Sequence, residues 1–140
     1  MLNTLSIILI SSFLSWNWGE TSPQFQLINH SLQSEKYTAE ISLAPKHDNM
    51  LEVNADFYNS TNKEINVDYK FMVTKSGQSK SSSNQSGNLI VNSKEQVVLS
   101  KITVNLNKED FYKITLQVFS NNQLIADDNA SFYGDKIILK

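Results

Sequence analysis

The sequence has no cysteine and, among its 12 basic residues, no arginine. The first absence removes disulfide scaffolds, cysteine-based zinc sites, thiol nucleophiles and thiol redox chemistry together. The second removes the planar guanidinium fork that usually reads phosphate, and with a formal net charge of −2 it argues against a nucleic-acid partner. Two histidines, His30 and His47, leave little for a histidine-rich metal site, and no cofactor is called for. No Gly-x-Ser-x-Gly or comparable context surrounds any serine. Glu109-Asp110 read as turn residues, and Asp127, Asp128 and Asn129 lack the spacing of a calcium loop. A catalytic role is therefore not expected.

What is present begins with an apolar run, Leu5 to Leu14. It has the length of the hydrophobic region of a secretion signal and falls well short of the ~20 residues that span a bilayer. We read residues 1–20 as an export signal, with no membrane insertion of the mature chain, and 21–35 as a flexible N-terminal segment. At 140 residues the remainder is one domain, whose core buries roughly two-thirds of the unfolded surface without a metal or covalent staple.

From Lys36 to Gly134 the apolar period is two. Tyr37, Ala39, Ile41 and Leu43 alternate with polar residues; so do Leu51 to Phe57, Ile65 to Val73, Tyr112 to Val118, and, more weakly, Leu124 to Phe132. Shorter runs at Leu89 and Val91, at Val97 and Leu99, and from Ile102 to Leu106 complete about seven strands, separated by turn residues such as Asn121-Asn122. Strands so spaced predict an all-β fold, an antiparallel sandwich of immunoglobulin-like type, with a small closed barrel as the alternative. Tyr112, just after an acidic turn and two residues before the apolar Ile114, has the position of a tyrosine corner. The inward set Val97, Leu99 is followed by Ile102, Val104, so one residue near Ser100-Lys101 is extra and a bulge or a change of sheet is expected there. Residues 135–140 are read as a C-terminal tail.

Lys75 to Asn88 (KSGQSKSSSNQSGN) is too polar to pack and is expected to be a flexible loop at the sandwich edge, leading to a short strand at Leu89. Charge is uneven around it. Between Tyr69 and Lys101 five lysines (Lys70, Lys75, Lys80, Lys94, Lys101) face one acid, Glu95, whereas residues 21–68 hold three lysines against seven acids. Lysines on a sheet edge ordinarily prevent edge-to-edge aggregation; here they would also steer an anionic partner.

The stretch Val73 to Leu106, with Lys75-Ser76-Gly77 and Ser83-Asn84-Gln85-Ser86-Gly87, then Tyr112 to Val118 and the hairpin into Asn122-Gln123-Leu124-Ile125, resembles the CsgH/CsgC curli assembly proteins. The CsgC type carries a Cys-x-Cys pair that this chain lacks, so the likeness is to the CsgH type. The resemblance implies a small periplasmic immunoglobulin-like domain, monomeric, that keeps an amyloidogenic curli subunit from assembling before secretion. The client-binding residues expected on that reading are Lys70, Met72, Lys75, Lys80, Asn84, Gln85, Lys94 and Lys101. A reading from another class is an exported adhesive or structural immunoglobulin-like module.

Overall fold

Alternation with period two becomes strand wherever one face of the segment is sealed against another sheet. The computed structural model describes Ser34 and residues 36–137. The expected export signal, His30, nearly all of the segment over 21–35, and residues 138–140 of the tail lie outside the described residues. The strands are β1 (Tyr37–Lys46), β2 (Met50–Asn59), β3 (Ile65–Ser76), β4 (Ser81–Val91), β5 (Glu95–Asn105), β6 (Phe111–Ser120) and β7 (Gln123–Tyr133), with a short 3₁₀ turn at Gly134–Lys136.

All pairings are antiparallel, in a three-stranded sheet of order β1-β2-β5 and a four-stranded sheet of order β4-β3-β6-β7. The inward residues of the two sheets form one core, led by Tyr112, Phe57, Phe71, Leu51, Ile114 and Leu116. Each such buried side chain contributes roughly 1.5–3 kcal/mol of hydrophobic stabilisation. The expected immunoglobulin-like sandwich is the observed fold.

The tyrosine corner is present. The Tyr112 hydroxyl donates to the Asn105 carbonyl at 2.7 Å and accepts the Asn107 N–H at 2.8 Å, bracing the connection that carries the chain from β5 in one sheet to β6 in the other. The expected extra residue is also there. Ala55 pairs with Ser100 and Asp56 with Val98, leaving Leu99 without a partner. Leu99 and Ser100 are buried in succession, so the strand bulges and continues rather than changing sheet. In the Asn121-Asn122 hairpin both residues have positive φ, 53° and 63°, as a type I′ turn requires.

One expectation fails. Lys75 to Asn88 is not a flexible loop: Lys75 and Ser76 finish β3, residues 77–80 turn, and Ser81 to Asn88 are most of β4. Eleven consecutive residue pairs join β3 to β4 without a register break. Backbone pairing holds a strand whose Ser, Asn and Gln side chains bury little, and a composition argument reports only the side chains.

Candidate functional site

Four strands lie at sheet edges among the described residues, and three of them are guarded. β1 carries Glu40, Pro45 and Lys46; β5 carries Lys101 and the Leu99 bulge; β7 carries Asp127 and Asp128 and a register shift opposite Val118/Phe119. Charges, proline and bulges are the usual means of stopping an edge from accepting another strand. β4 has none of them. Ser81 to Val91 contains no charged residue, no proline and no register shift, and β3 is its sole strand partner among the described residues. Lys80 stands immediately before this strand and Lys94 three residues after it.

The start of β4 is set by Asp110, which in sequence reads only as a turn residue. Asp110 is fully buried, and its carboxylate gathers the turn between β3 and β4. Oδ1 accepts the Gln78 N–H at 2.7 Å, and Oδ2 accepts the Ser79 hydroxyl at 2.9 Å and lies 3.7 Å from Lys75 Nζ. Burial alone would raise this carboxyl; the Ser79 hydroxyl, the Gln78 and Ser79 N–H groups and the Lys75 ammonium more than offset it and hold the group below its ordinary value. Gly77 has φ 136°, and a Cβ there would lie 2.6 Å from Asp110 Oδ1, so the turn needs glycine on both counts. The signal available in sequence was Lys75-Ser76-Gly77 facing an acidic turn 33 to 35 positions on; nothing local links the two.

The expected client-binding residues divide into groups. Lys70 and Met72 point outward from β3, opposite Ser86 and Asn84 of β4; the Lys70 ammonium lies 5.5 Å from the Phe119 ring centroid, and Met72 is 42% exposed. Asn84 shares that outer face. Gln85 is on the other face of β4, where its Oε1 accepts the Ser100 hydroxyl and ties the two sheets together along their shared open side. Lys80 is exposed in the turn before β4. Lys94, with φ 58°, donates from Nζ to the Ser60 carbonyl at 2.7 Å at the opposite end of the strand. Lys75 is directed inward to Asp110, its side chain only 11% exposed. Lys101 is on the outer face of the three-stranded sheet, 3.7 Å from Glu52. The five lysines therefore do not form one basic edge: Lys70, Lys80 and Lys94 surround β4, while Lys75 and Lys101 are engaged elsewhere.

An open groove of about 600 Å³ on the outer face, lined by Asp68, Lys70, Ser86, Asn88, Phe119 and Asn122, continues this surface toward the Asn121-Asn122 hairpin. Asn88 Nδ2 donates to Asp68 Oδ1 at 2.8 Å within it. His47 sits in the β1–β2 turn. Among the described residues no group of three or more His, Cys, Asp or Glu side chains is placed to hold a metal ion, and no helix is long and apolar enough to cross a membrane. Asn59 is fully buried, with its amide donating to the Lys63 and Asn92 carbonyls at 2.8 and 3.0 Å.

No family model and no curated protein matches the chain. Solved structures do. The chain is similar to the E. coli curli protein CsgC, with a TM-score of 0.52 and 14% identity over 68% of this chain and 97% of that one. It is also similar to the solution structure of R. palustris CsgH, with a TM-score of 0.54 and 15% identity over 74% of this chain and 98% of that one. The match takes in nearly the whole of each of these proteins. At such identities the likeness is one of fold.

Proposed function

We propose that this protein is an exported, chaperone-like factor of the curli assembly type, which acts in the periplasm as a monomer and suppresses premature amyloid formation by a secreted subunit. The observation that carries the reading is β4: an uncharged, unbulged, eleven-residue edge strand in a sandwich whose other edges are all guarded. An edge strand offers a row of N–H and C=O groups to which an extended client segment adds as a further strand. The captured segment is then backed by a twisted, folded sheet, so the flat stacking of cross-β growth does not proceed from it. Lys70, Lys80 and Lys94 attract a client of net negative charge to this edge and flank it with charge, which keeps the contact weak, transient and sensitive to salt. The fold shared with two curli proteins supports the same reading.

A thioflavin time course of a curli subunit with this protein at low molar ratio tests it. The lag phase is expected to lengthen severalfold, and replacing Lys70, Lys80 and Lys94 together by Gln is expected to return most of that gain. An unchanged lag with the parent protein overturns the reading.

A further inference from the structure

Tyr69 lies on the inner side of β3, and its register partner on β4 is Gly87. A Cβ built on Gly87 would be 2.9 Å from Tyr69 Cε1, 3.1 Å from its hydroxyl oxygen and 3.2 Å from Cζ. The phenol end of the ring therefore lies across β4 in the place where a side chain of the edge strand would stand. A larger residue at this position would have to displace the ring. The Tyr69 hydroxyl makes no hydrogen bond to any described residue, yet it is not among the buried polar atoms left without a partner. It is thus a polar group carried to the open edge of the sheet and met there by solvent.

A strand added to β4 places every second residue on this inner face, with its Cβ ~4.5–5.5 Å from that of the residue opposite. Opposite Gly87 the newcomer finds no side chain of β4, only the hydroxyl end of Tyr69, with the Gln85 amide two residues along the same face. The chemistry of the newcomer follows. An aliphatic side chain would strip water from the hydroxyl without replacing its hydrogen bond. A charged one would be drawn out of water into the seam, because Lys75 and Asp110 already neutralise each other and Lys70, Lys80 and Lys94 stand on the outer face or at the ends of β4. A side-chain amide satisfies the hydroxyl as donor or acceptor and lies flat against the ring.

We infer that the Tyr69/Gly87 notch is a specificity site: β4 takes an extended, uncharged segment with Asn or Gln opposite Gly87. The inference deepens the proposed function and rests on it for the use of β4 as a docking edge. A site with a polar group awaiting a partner discriminates against a ligand that lacks one.

The test is a titration of the ¹⁵N-labelled full chain with short alternating Thr peptides that carry Gln, Leu or Glu at the centre. The Gln peptide is expected to shift the amide resonances of Gln85 to Leu89 and to bind about tenfold more tightly than the Leu peptide, a difference of about 1.4 kcal/mol. Tyr69→Phe keeps the ring and the packing, and is expected to abolish that preference; Gly87→Ala is expected to weaken all three peptides by displacing the ring. Equal binding of the Gln and Leu peptides, or a preference unchanged in Tyr69→Phe, overturns the inference. If the parent protein still delays amyloid growth in that case, the proposed function stands without it. A Gln preference in a protein that leaves the lag phase untouched has the opposite meaning: the notch is upheld and the chaperone role falls. Self-association in the ultracentrifuge, with the same amides shifting as protein concentration rises, assigns the edge to a second copy and overturns the inference.

Discussion

Lys75 and Asp110 form an ion pair inside the turn that precedes β4, with Nζ 3.7 Å from Oδ2 and the aspartate side chain fully buried. A lysine that reads in sequence as part of a basic surface is a structural element of that surface's foundation. Replacing Lys75 by Gln leaves a buried carboxylate with its hydroxyl and amide donors but without its cation, so the urea midpoint is expected to fall. Because Asp110 is held below its ordinary value, its favourable contribution is present above pH 3.8 and is lost as pH falls through the folded value. The gap between variant and parent is therefore expected to be widest near neutrality and to close in strong acid, as urea titrations across that range would report. A gap that persists at low pH would mean that the lysine acts through packing rather than charge.

The tyrosine corner allows a cleaner subtraction. Tyr112→Phe removes the hydroxyl from a fully buried ring, leaving the Asn105 carbonyl and the Asn107 N–H without the partner they share. The expected cost is about 1–3 kcal/mol, read from urea unfolding as a lowered midpoint with an unchanged slope.

Asp128 predicts a pH dependence of opposite sign. It projects from β7 to β1, where Oδ2 accepts the Ile41 N–H at 2.9 Å, and Oδ1 accepts the Asn129 N–H at 2.9 Å. Burial raises its carboxyl to about 6, partly countered by the Ile41 and Asn129 N–H groups and reinforced by the neighbouring Glu40 and Asp127 carboxylates. The folded chain then binds this proton more tightly than the unfolded chain, whose value is ordinary, near 3.8. Stability is expected to fall as pH rises from about 4 to about 7, by on the order of 2–3 kcal/mol. Thermal midpoints of Asp128→Asn measured over that window are expected to lose this slope.

Lysine position separates steering from mere net charge. Lys101→Gln and Lys70→Gln change the formal charge equally, but Lys101 faces Glu52 on the three-stranded sheet, whereas Lys70 stands beside the middle of β4. In the amyloid lag assay Lys70→Gln is expected to reduce protection, with Lys101→Gln close to the parent. Equal losses would assign the effect to net charge. The Lys70 effect is also expected to fade as salt is raised, since the Debye length shrinks from ~10 Å at 0.1 M to ~3 Å at 1 M.

Much of the scaffold was legible in the sequence because strand formation in a half-buried sheet leaves a local mark. The alternations from Tyr37, Leu51, Ile65 and Tyr112 each became a strand, the slip between Leu99 and Ile102 became a bulge, and Tyr112 after its acidic turn became the corner. The candidate site was legible only in part. Lys70, Met72 and Asn84 share an outer face because period two places them there once β3 and β4 pair, but the Ser, Asn and Gln of β4 read in sequence as a loop.

By itself the sequence determined the all-β class, the position of most strands, the two-residue Asn121-Asn122 hairpin, and the exclusion of thiol and disulfide chemistry. These depend on residue identity or on spacing within one strand. The tertiary structure decided the rest: that a Ser/Asn/Gln segment is an edge strand, that Lys75 turns inward to a carboxylate 35 positions away, that Tyr69 reaches across Gly87 to the open edge, and that Lys101 belongs to the other sheet. Each of these is a relation between distant segments. It is set by which strand lies beside which and in what register, and a backbone hydrogen-bond ladder leaves no trace in the side chains of an edge it does not bury.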